Sequence, residues 1–171
     1  MSTAKMKLET KKWLWYALVL LVCYVTQTSP KLNTVLFTMP VLVVPVATAV
    51  AVFEGEIAGA AMGAVAGLLW DLSSARVAGA HGVMLCILCV CCTLVCLHLL
   101  RPTWISISIL SVICLVITDL ADYVFTYYLF FDNSGPAWAK QALPSFAATL
   151  VIAPAIVLIC RLIHNKYTTE E

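Results

Sequence analysis

Nine acidic residues stand in a chain that is 63% hydrophobic, and those inside apolar runs are where chemistry could sit. Asp119 and Asp122 lie at i, i+3, on one face of a helix. Paired acids can do acid–base work. Aspartyl chemistry usually draws its two acids from different helices, and no second motif accompanies this pair. We therefore read it first as interior hydrogen bonding or as contact with a polar group on another helix, with Asp119 the deeper of the two. Asp71 ends a row of glycines spaced by four, Gly55, Gly59, Gly63 and Gly67. A carboxylate at a helix C-terminus opposes the macrodipole, so Asp71 should find a partner. Arg76 is the nearest cation, and a cap on the next helix, together with Ser73 and Ser74, is the alternative. Glu54 and Glu56 read as acids at a helix N-terminus, where they suit the dipole.

Five of the eight cysteines crowd one segment: Cys86, Cys89, Cys91, Cys92 and Cys96. Their overlapping C-x-x-C spacings look like a metal or redox motif. Four of them fall within about 120° of one helix face, as small packing residues do, and thiolates form poorly deep in lipid. His81 and His98 flank the same segment and read as solvated or hydrogen-bonded, with no third ligand for a metal. The residues call for no metal, no cofactor and no catalytic set, and we expect no enzymatic activity.

The elements that position these residues are membrane helices. Mean hydropathy is +0.99 and only 11% of the 171 residues are charged, which excludes an ordinary soluble domain. A net charge of +1 gives no electrostatic case for nucleic acid. Six spans are expected, at roughly 13–29, 32–53, 57–75, 78–100, 103–131 and 137–161, in an all-α, polytopic membrane bundle that forms a single domain. The first has a basic start but no clear cleavage site, and reads as a retained helix. Pro40 and Pro45 interrupt span 2, and Pro144 and Pro154 interrupt span 6, as kinks or as the broken helices of a transporter site. Placing both termini in the cytoplasm puts seven lysines and arginines on that side against three on the other, so the positive-inside rule favours that orientation. Glycines at i, i+4 let helices approach to backbone contact. At 3.6 residues per turn the row drifts by roughly 40° per step, so it could meet more than one neighbour.

The stretch Pro40 to Leu100 resembles a known family. A proline-bearing second helix leads to G-x-x-x-G-x-x-x-G-L-L-x-D-L-x-S, with Gly63, Gly67, Leu68, Asp71, Leu72, Ser74 and Gly79 in place. This resembles the bacterial rod shape-determining protein MreD family, with a weaker match at Val116 to Leu120 around Asp119. Ser74-Ala75 departs from the usual Ser-Gly, and Arg76 and the cysteines are peculiar to this chain. The resemblance implies a multi-pass protein of the bacterial cytoplasmic (inner) membrane in the cell-elongation machinery. Its partners would be an MreC-like bitopic protein and, indirectly, an MreB-like filament and peptidoglycan synthases. It also implies a fold similar to the S components of energy-coupling factor vitamin transporters, and such an S component is the alternative function. Span 1 carries no A-x-x-x-A contact, against that alternative, whose ligand would sit between spans 3, 5 and 6 near Asp119, Asp122 and the aromatics. On the scaffold reading, Gly55, Gly59, Gly63 and Gly67 form the packing and partner face, with Asp71, Ser74, Arg76, Asp119 and Asp122 as its polar candidates.

Overall fold

The structure is a computed structural model that describes residues 3–29, 40–74, 79–99, 103–124 and 135–168. Among the described residues six helices follow in order: α1 (Thr3–Thr28), α2 (Val43–Glu54), α3 (Glu56–Ser74), α4 (Ala80–His98), α5 (Trp104–Asp122) and α6 (Gly135–Thr168). No strand occurs among the described residues. Among the described residues three segments are long and apolar enough to cross a membrane: Ala80–His98, Trp104–Asp122 and Leu143–Tyr167. At 19 residues, α4 and α5 each rise about 28 Å, close to the hydrocarbon thickness. Outside them the bundle shows leucine, isoleucine and valine, as at Leu21, Val83, Ile113 and Val151.

The short helix α2 is the centre of the bundle, and every residue from Val43 to Ala51 is buried. Its sequence explains why it can sit there: valines and alanines fill space without polar atoms, and Thr48 closes its hydroxyl on Val44 O at 3.0 Å and on Ser111 Oγ of α5 at 2.5 Å. The orphan N–H groups at its start find side chains from other helices. Val41 N donates to Thr149 Oγ1 at 3.1 Å, and Leu42 N donates to Gln27 Oε1 at 3.0 Å.

Several boundaries differ from the expectation. Helix α2 begins at Val43, so Pro40 precedes it and Pro45 falls in its first turn, where the missing N–H has no intrahelical partner to lose. The start of expected span 2, residues 32–39, lies outside the described residues. Helix α6 runs through both Pro144 and Pro154 without a break. Helix α5 closes at Asp122 with a wider turn at Tyr123 and Val124, and the aromatic stretch 125–131 lies outside the described residues.

The glycine row organises α3. Gly59, Gly63 and Gly67 are buried, and a methyl group on any of them would strike another helix. At Gly59 it would lie 2.5 Å from Ala51 Cβ of α2, and at Gly63 2.7 Å from Leu85 O of α4. At Gly67 it would overlap the His81 carbonyl and Gly82. The row therefore winds from α2 onto α4, backbone against backbone. Gly55 is no part of it. It joins α2 to α3 with φ +93°, and nothing lies within 4 Å of where its Cβ would be. As a partner face the row is already occupied, because α2 and α4 of the same chain fill it. The exposed side of α3 carries Ile57, Val65, Leu68 and Leu72 instead.

Candidate functional site

The close α3–α4 packing brings the end of one helix beside the start of the next. Gly79, with φ +96°, turns the chain into α4, and its N–H donates to Asp71 Oδ2 at 2.7 Å. Asp71 is thus the side-chain acceptor at the start of α4, the position where an acid suits the helix dipole. Its other oxygen, Oδ1, accepts from His81 Nδ1 at 2.5 Å. His81 reaches α5 with its second nitrogen, and Nε2 lies 2.9 Å from Asp122 Oδ2. The Trp70 indole stacks on the imidazole with centroids 4.7 Å apart, which seals it from one side.

This cluster is an imidazole between two carboxylates, one each from α3 and α5. A neutral ring offers one N–H, and a carboxylate only accepts. Holding both contacts as hydrogen bonds therefore takes one proton more than a neutral ring and two carboxylates carry. The side chains of Asp71 and His81 are 2% and 3% exposed, whereas that of Asp122 is 25% exposed, so the cluster opens to its surroundings through Asp122. Its contacts join three helices, α3, α4 and α5. Beside it, Gly79, Gly82 and Ala64 leave a shallow apolar groove of about 310 Å³, walled by Leu68, Val83, Cys86 and Ile87.

The other acids fall elsewhere. Asp119 is half-buried, one turn before Asp122. Ser74 closes α3, and Arg76 lies outside the described residues. Glu54 is not an N-terminal acid of α3. It is the last residue of α2, and Glu56 takes the first turn of α3. Glu54 gathers three donors at the opposite end of the bundle: Lys12 Nζ at 2.6 Å, Tyr16 Oη at 2.9 Å and His164 Nδ1 at 2.9 Å. Phe53 stacks on His164 at 5.3 Å. A faint signal for this cluster lay in the sequence, since Lys12 and Tyr16 are i, i+4 on one face of α1. For the His81–Asp122 contact it held none, because the two are 41 residues apart.

The cysteines are free thiols. Cys89, Cys92 and Cys96 line the buried face of α4, and Cys92 meets Cys114 of α5 with sulfurs 3.0 Å apart. Among the described residues no three histidines, cysteines or acids gather as a metal site. Compared with protein-family models, curated proteins and solved structures, the chain matches none.

Proposed function

We propose that this chain is an MreD-like scaffold: a non-enzymatic, six-span protein of the bacterial cytoplasmic membrane that binds an MreC-like bitopic protein. Through that partner it would help organise an MreB-like filament and the peptidoglycan synthases. The observation that carries the reading is the role of the motif on which the resemblance rests. Gly59, Gly63 and Gly67 are consumed in close helix contact, and Asp71 fastens the start of α4. A motif used for rigidity suits a protein that presents a fixed surface to partners.

The two polar clusters support the topology. Glu54 gathers the first part of α1 and the ends of α2 and α6, while the opposite cluster gathers the end of α3, the start of α4 and the end of α5. Helices of alternating direction meet in that way, with both termini at one end. The basic residues Lys5, Lys7, Lys11, Lys12, Arg161 and Lys166 belong to that end, which favours a cytoplasmic side.

The test is a mild-detergent pull-down of the tagged chain from native membranes, read by mass spectrometry. Recovery of an MreC-like bitopic protein together with cell-wall synthases is the expected result. Recovery of a transporter T component with its ATPases would replace the scaffold with a vitamin-binding S component.

A further inference from the structure

A second groove lies between α1 and α6 at the end of the bundle that holds both termini. It encloses about 190 Å³ and is lined by Trp15, Leu162, Ile163, Lys166 and Tyr167. Three kinds of side chain are layered along it. Leu162 and Ile163 form an apolar floor, and the exposed Leu18, Leu158 and Ile159 continue it one turn further toward the bundle centre. Trp15 and Tyr167 stand on its two walls, the residue types that favour the boundary between hydrocarbon and headgroup. Tyr167 is also where the apolar span of α6 ends.

Cations complete the mouth. Lys166 lies 6.0 Å from the Tyr167 ring centre. Lys11 is exposed one helical turn before Trp15, on the same face of α1. Lys12 is spent on Glu54, whereas among the described residues no ion pair engages Lys11 or Lys166. An apolar strip with interfacial aromatics and, at its aqueous end, two ammonium groups that no ion pair engages among the described residues has the order of parts of an anionic phospholipid: acyl chain, glycerol backbone, phosphate.

We propose that the α1–α6 groove binds one anionic phospholipid of the leaflet that faces the chain termini. One acyl chain lies along Leu158, Ile159 and Leu162, and the phosphate sits between Lys11 and Lys166. Basic pockets between membrane helices recognise such headgroups by charge. The inference requires that α6 span a membrane. It does not require the scaffold role, so the two can fail separately.

Native mass spectrometry of the full chain in detergent, titrated with dioleoyl-phosphatidylglycerol or dioleoyl-phosphatidylcholine, tests it. The parent chain should retain the anionic lipid in preference to the zwitterionic one. Lys11→Gln and Lys166→Gln should each weaken the anionic adduct by roughly fivefold, the effect of one surface charge near such a headgroup. Leu162→Trp keeps both lysines and fills the floor, and Leu162 is 68% exposed, so the change leaves the bundle core intact. It should reduce the adduct as well. Equal retention of the two lipids, an unchanged preference in the double lysine variant, or full retention in Leu162→Trp would each overturn the site.

Discussion

At the end that holds the termini, one carboxylate gathers three donors; at the other end, one imidazole is divided between two carboxylates. The Glu54 cluster joins residues 42, 38 and 110 positions apart, and it closes the first helices onto the last. The His81 cluster joins residues 10 and 41 positions apart, and it fastens a local hairpin to α5. From Glu56 to Asp71 the helix rises about 22 Å, so the clusters sit at opposite ends of the bundle. Lys12 pairs with Glu54 directly, whereas at the far cluster an imidazole lies between two acids. One end is a clasp between distant parts of the chain, and the other is a lock within the α3–α5 segment.

The largest effect should come from breaking the lock. Asp71→Ala leaves the His81 ring without one partner and the Gly79 N–H without its acceptor. Removing one member of a buried ionic contact costs about 3–5 kcal/mol. Denaturant unfolding in mixed micelles should show that loss, with increased amide exchange at the α3–α4 junction. A loss under 1 kcal/mol would mean that the lock does not hold the hairpin.

The clasp should be weaker and act elsewhere. Glu54→Gln keeps the shape and removes the charge that three donors share. Hydrogen bonds to a charged group are worth about 1.5–3 kcal/mol, and the amide oxygen retains part of that. Exchange should rise at the start of α1 and the end of α6, and protection around Asp71 should not change. A smaller effect still is expected from Lys12→Met, about 1 kcal/mol or less, because Tyr16 and His164 remain on Glu54 and the lysine stem is partly exposed. If Lys12→Met equals Glu54→Gln in cost, the ion pair alone makes the clasp.

Much of this was legible in the sequence, and the rest was hidden for physical reasons. The i, i+4 glycines announced close helix contact. They did not say whether the neighbour would be another helix of the same chain or a partner, since both make the same demand for small residues. The Glu54-Gly55-Glu56 turn places one acid on each side of a glycine, so spacing alone could assign Glu54 to either helix. His81 looked solitary because its partners come from α3 and α5, and tertiary contacts across 41 residues leave no periodic trace. Pro45 looked like a kink because the pattern did not mark where α2 starts; in a first turn it is harmless.

The central claim is that the glycine row is spent inside the chain. Thermal unfolding of the purified, partner-free chain tests it through Gly63→Leu and Val65→Leu, two enlargements on opposite sides of α3. Gly63→Leu would force a side chain into the Leu85 carbonyl, and overpacking of that kind costs about 1–3 kcal/mol. Val65 is 48% exposed, so its variant should unfold like the parent. The account predicts a clear drop in Tm for Gly63→Leu alone. Equal Tm values for both variants and the parent, with partner recovery lost only in Gly63→Leu, would contradict it and return the glycines to the partner.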